Sequence, residues 1–161
     1  MKTFITAFLL FFALFNGNAQ EVNSEIQLLT ERKNDIILDP LLLIAVPMIN
    51  ISYERILKQN MGVGTNAMID LSGETDEIAQ ISPYFRYYLG KKYASGFFLQ
   101  GFAPITVSEF SAGLGLGFGG KWVLKKRLVL EVSGGVARRV FNDPGFDEVT
   151  GVFMTGIGYR F

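Results

Sequence analysis

The sequence predicts an all-β protein, an eight-stranded antiparallel up-and-down transmembrane β-barrel. Three observations carry that expectation. The chain alternates large apolar residues with small or polar ones at a period of two, as in its closing stretch VTGVFMTGIGYRF, where Phe153, Ile157, Tyr159 and Phe161 share one face and Gly156, Gly158 and Arg160 the other. The links between the alternating blocks are in turn short and basic, then longer and more acidic. And the face opposite the apolar one is built mostly of Gly and Ser, with about one charge in a strand.

The elements follow in order. Lys2 precedes the apolar run FITAFLLFFALF, and Gly17 and Ala19 then give a small-x-small pattern, so residues 1–19 read as a secretory signal peptide cut after Ala19, with an uncleaved membrane anchor as the alternative. The run is shorter than the roughly 20 residues a membrane helix needs, and no Cys follows it to be acylated. Residues 20–33 are a polar, weakly helical periplasmic lead-in, with Ser24 before Gln27 as a candidate cap. From residue 34 to 161 come eight strand-like blocks: NDIILDPLLLI, MINISYERIL, NMGVGTNAMIDL, AQISPYFRYYL, YASGFFLQGFA, EFSAGLGLGFGGKWVL, RLVLEVSGGVARR and TGVFMTGIGYRF. About ten residues at about 3.3 Å each, tilted about 40°, cover roughly 25 Å, which suits a membrane barrel. Pro83 removes a ladder donor from block four and should mark a strand start, a bulge or an exposed end.

The short links are Lys58 with Gln59, then Gly90, Lys91 and Lys92, then Lys125, Lys126 and Arg127; the longer ones are SGETDE, PITVSEF and VFNDPGFDEV. Only the first, around AVP, is short where a long one is expected. Outer-membrane barrels divide their ends in this way, with short periplasmic turns and longer outer loops, so both termini are expected in the periplasm.

An alternating strand suits two opposite barrels. A soluble lipocalin-like barrel keeps apolar residues inside, and a membrane barrel turns them out. The polar face favours the second. Gly113, Gly115, Gly117 and Gly119 with Lys121 stand against Leu114, Leu116, Phe118 and Trp122; Glu131, Ser133 and Gly135 stand against Leu128, Leu130, Val132 and Val136. A water-facing surface would carry several charges per strand, whereas a narrow lumen needs small residues. Asp39, Glu54, Arg86, Lys121, Glu131 and Arg160 fall on the small-residue face, and buried charges persist only when paired. An interior ion-pair network of Glu54, Arg86, Lys121, Glu131 and Arg160 is therefore expected. It either fills and locks the barrel or lines a narrow conducting path. On the apolar face, Tyr53, Tyr87, Tyr88, Tyr93, Phe97, Trp122, Tyr159 and Phe161 lie near strand ends, as an aromatic girdle would.

The terminal strand also resembles the C-terminal signal by which the barrel-assembly machinery recognises outer-membrane proteins: Phe161, Tyr159 and Ile157 match that pattern, and Phe153 fits it less tightly. The stretches ISYERIL, ISPYFRYYLGKK, GFFLQGF and GLGFGGKWVLKKRLVLEVSGGVAR resemble a family of small exported outer-membrane barrels with no assigned function. The resemblance covers most of the chain after Asn34. It implies a fold, an outer-membrane location and the assembly machinery as a partner during biogenesis, and it implies no chemistry.

Composition narrows the function classes. Of the 161 residues, 19% are charged, below the roughly 25% of soluble domains, and 15 basic residues balance 15 acidic ones with no basic run to hold nucleic acid. There is no Cys and no His, which removes thiol chemistry, cysteine-based metal sites and the usual general base near neutral pH. Small-barrel enzymes rely on a catalytic His, so no enzyme, metal or cofactor is expected. A carboxylate-only site could use the loop clusters Glu74, Asp76 and Glu77 or Asp143, Asp147 and Glu148, which read as solvated turns or as weak calcium and lipopolysaccharide-bridging sites. The expected role is structural or interactive, with outer-membrane lipids and a candidate membrane-protein partner in contact. The alternatives are a narrow channel, a small-ligand carrier or a soluble periplasmic lipocalin-like barrel.

Overall fold

The period-two alternation becomes pleat, and the pleat closes on itself. The computed structural model describes residues 32–71, 79–106, 110–141 and 148–161. The signal peptide, most of the lead-in, and Glu74, Asp76, Glu77, Asp143 and Asp147 lie outside the described residues.

Strands β1 (Asn34–Leu38), β2 (Met48–Lys58), β3 (Met61–Asp70), β4 (Ala79–Tyr88), β5 (Gly96–Phe102), β6 (Ile105–Thr106), β7 (Ser111–Leu124), β8 (Leu128–Phe141) and β9 (Val149–Arg160) form one antiparallel sheet. Sequential neighbours pair from β1 to β5; β7, β8 and β9 continue the order, and β9 returns to β1. Short β6 extends β5, pairing with both β4 and β7, so the ring has eight staves and no free edge. The seam is closed by backbone bonds in both directions between Asn34 and Phe161, of 3.0 and 2.9 Å. Both ends of the barrel chain thus lie at one rim, together with the turns at 59–60, 89–95 and 125–127.

The structure departs from the expected blocks in four places. Block one was expected to be a single strand, but it breaks after Leu38 into helix α1 (Pro40–Ala45). The cause is the Asp-Pro step: Asp39 caps the helix by accepting from the Leu42 amide at 3.1 Å, and Pro40, which has no amide hydrogen, sits in the first turn, where none is needed. The AVP stretch is therefore the exit from a helix. Block five starts later than expected, because residues 93–95 belong to the turn before β5. The PITVSEF link contains β6, and β8 runs on to Phe141, taking in the start of VFNDPGFDEV. Pro83 neither starts nor ends a strand. It lies within β4, where its carbonyl accepts from Ala103 at 3.0 Å, just where β5 gives way to β6. The donor it lacks would face that interruption, so little of the ladder is lost.

Side-chain direction follows the expected parity. Leu114, Leu116 and Phe118 point outward and are 68%, 75% and 71% exposed, as are Leu128, Val132, Val136, Phe153 and Ile157 at lower or similar values. Lys121 and Glu131 are buried at 0% and 1%. Tyr53, Tyr87, Phe97, Trp122, Tyr159 and Phe161 are outward. Tyr88 and Tyr93 are not: both are buried inside. Tyr87 and Tyr88 are consecutive in one strand and cannot share a face. Tyr93 comes from a turn that folds into the barrel mouth.

Candidate functional site in the barrel lumen

Charged residues enter the lumen from strands whose neighbours make room for them. Arg86 stands opposite Gly62, Glu131 opposite Gly156 and Lys121 opposite Gly96, so none of the three faces a side chain directly across that strand pair. Around Gly62 and Gly64 the space is taken: a Cβ on Gly62 would lie 2.1 Å from the Glu54 carboxylate, and one on Gly64 would lie 2.3 Å from the Tyr53 carbonyl and 2.5 Å from the Tyr84 ring.

Register sets the first contacts. Lys121 is directly opposite Glu131, Asp35 directly opposite Arg160, and Arg86 directly opposite Gln100. Contacts across the lumen join these pairs. Arg86 grips Glu131 with both terminal nitrogens, at 2.7 and 2.6 Å, reaches Glu54 at 2.8 Å, and donates from Nε to Gln100 at 2.9 Å. Lys121 lies 2.6 Å from Glu54, 3.0 Å from Asp35 and 3.6 Å from Glu131. Arg160 holds Asp35 through Nε at 2.7 Å and Nη2 at 2.8 Å. The Arg86 guanidinium also lies over the rings of Tyr84 and Phe98, at 4.2 and 4.4 Å, and the Tyr88 hydroxyl donates to Glu54 at 2.6 Å. Three acids and three bases therefore neutralise one another, and the two like-charged neighbours Asp35 and Glu54 are held by the ammonium between them.

Of the residues expected in the network, Glu54, Arg86, Lys121 and Glu131 meet directly. Arg160 joins through Asp35, which sequence reasoning missed although it shares a face with Ile37 and Asp39. Asp39 is buried and belongs to a separate contact: besides capping α1, it accepts from the Thr155 amide and hydroxyl at 3.1 and 3.0 Å. Ile157, Tyr159 and Phe161 all lie on the outer surface or rim, away from this cluster. Glu148 is an exposed loop residue facing Arg138 at 3.6 Å.

The rim that carries the termini is sealed. The turn before β5 folds inward, and its Tyr93 and Ala94 carbonyls accept from Arg160 at 3.1 and 3.0 Å. Tyr93 and Ala94 pack there with Ile56, Tyr88 and Phe98. At the opposite end, above the ion pairs, the lumen widens into a cavity of about 250 Å³. The carboxylates of the cluster are taken by bases, and among the described residues no group of three or more acids suits a metal ion.

No protein-family model matches the chain, and no curated protein matches it. Fold and site define its class alone: a small closed antiparallel β-barrel, apolar outside, with a neutral ion-pair network inside.

Proposed function

We propose that this protein is an integral outer-membrane barrel with a structural or interaction role and no catalytic chemistry. Its lumen is closed by the ion-pair cluster and the inturned β4–β5 turn. The observation that carries the reading is the orientation of the side chains. Large apolar residues point outward on every long strand, while Glu54, Arg86, Lys121, Glu131 and Arg160 are buried and the exposed Arg55, Lys58 and Arg138 lie toward the strand ends. A lipocalin-like soluble barrel needs the reverse, because contiguous exposed apolar patches on soluble monomers rarely exceed a few hundred Å². In a bilayer the same surface meets hydrocarbon, and the closed sheet leaves no backbone edge unpaired there.

The outward Tyr53, Tyr87, Tyr159 and Trp122 support an aromatic girdle, and the Ile157, Tyr159 and Phe161 pattern supports recognition by the assembly machinery. A conducting path has less support, since Arg86 and Lys121 bind partners directly across the lumen and Arg160 holds the carbonyls of the inturned turn. Two measurements test the reading. Detergent-extracted protein should sit in the membrane fraction and migrate faster on gels before heating than after. In planar bilayers it should give no steady nanosiemens-scale conductance. A soluble product without heat-modifiable migration, or a stable open channel, would overturn it.

A further inference from the structure

The cavity above the ion pairs has the character of a binding cup. Its wall includes Asn50, Asn66, Met68, Ser82, Phe102 and Met154, with Arg86 and Gln100 toward the cluster. At about 250 Å³ it lies between the ~150 Å³ that holds benzene and the roughly 300–1,000 Å³ of pockets for drug-sized ligands.

Three observations define what it would take. First, Asn50 is 4% exposed, points inward from β2, and its Oδ1 has no hydrogen-bond partner among the described residues. A buried amide oxygen in that state is short of a donor. Second, among the described residues Asn66 donates to the Met154 sulfur, at 3.6 Å, a weak acceptor that a better one would readily replace. Third, Arg86, the charged group of the wall, already has Glu54 and Glu131 on its terminal nitrogens and Gln100 on Nε. An anion would have to compete with two carboxylates, and a cation would meet no free carboxylate among the described residues of the wall.

We propose that the cup binds one uncharged small molecule with an apolar body and an N–H or O–H donor. Its donor meets Asn50, and its body lies against Met68, Phe102 and Met154.

The wild-type protein, labelled with ¹³C at its methionine methyls in micelles, provides the test. Met68 and Met154 line the cup, whereas Met48 and Met61 lie outside it and report partition into detergent. Indole serves as the probe, benzofuran as the same shape without the donor, and benzoate as the charged comparator. The proposal expects saturable shifts at Met68 and Met154 with indole alone at low concentration, binding roughly tenfold weaker for benzofuran, and none for benzoate. Asn50→Leu should bring indole down to the benzofuran affinity. If that variant fails to fold, the indole and benzofuran comparison on the unaltered protein still decides. Linear shifts at all methionines, equal affinity for indole and benzofuran, or no response to any probe would show partition, a nonspecific apolar void or a water-filled space, and each would overturn the proposal.

Discussion

At the scale of single residues, the lumen is a set of mutual dependencies. Arg86 is the partner of both Glu54 and Glu131, so Arg86→Met leaves two buried carboxylates sharing Lys121. Breaking a buried pair by removing one partner costs about 3–5 kcal/mol. The expected result is a loss of that size in urea unfolding followed by the gel shift between folded and unfolded forms. Tyr88 makes a finer test, because it was expected on the outer face and is found inside, donating to Glu54 at 2.6 Å. Tyr88→Phe keeps the ring against Phe98 and removes only a hydrogen bond to a charged group, which should cost about 1.5–3 kcal/mol by the same unfolding measurement. An outward-facing Tyr88 would predict almost no change. Parity along each strand made most of these residues legible in the sequence. It told which face Glu54, Arg86, Lys121, Glu131 and Arg160 occupy. It could not tell how deep in the barrel each lies, which is why the link from Arg160 to the rest through Asp35 was not foreseen.

At the scale of elements, the clearest lesson is α1. A run of apolar residues read as strand became a helix because Asp39 and Pro40 supply an N-cap and a first-turn proline, signals written in the sequence but outweighed there by the apolar pattern. Asp39→Ala should cost about 0.5–2 kcal/mol for the cap alone. Faster amide exchange at Leu42 and Thr155, whose amides both donate to Asp39, should accompany it; unchanged exchange would mean that Asp39 does not hold the helix to β9. The inturned β4–β5 turn had no comparable signal, since Tyr93 and Ala94 are placed by an arginine from the other end of the chain, Arg160. Such long-range contacts between a carbonyl and a guanidinium leave no local pattern to read. The strands themselves were legible because both faces are strict: a glycine at 64 has a backbone oxygen and a tyrosine ring where a methyl would go, so Gly64→Ala should force β2 and β4 apart. The expected outcome is a lower urea midpoint and broadened signals from Tyr53 and Tyr84; an unchanged midpoint would show that the lumen is less tightly filled than the geometry indicates.

At the scale of the whole molecule, the barrel sorts its chemistry by face: hydrocarbon outward, neutralised charge and glycine inward, one mouth closed and the other widened into a cup. The outward sorting is what the proposed bilayer would require. There Leu116→Arg, at a position 75% exposed, should lower stability by about 2–4 kcal/mol if it lies near the bilayer midplane. On a water-exposed surface the same change would be within about 0.5 kcal/mol of neutral. The most direct measurement needs no substitution, because the chain has a single tryptophan, Trp122, on the outer face near the β7–β8 turn. In liposomes containing phospholipids brominated along their chains, the proposed orientation predicts strong quenching of Trp122 fluorescence and little quenching by aqueous acrylamide. Fluorescence indifferent to the brominated lipid and readily quenched by acrylamide would contradict it.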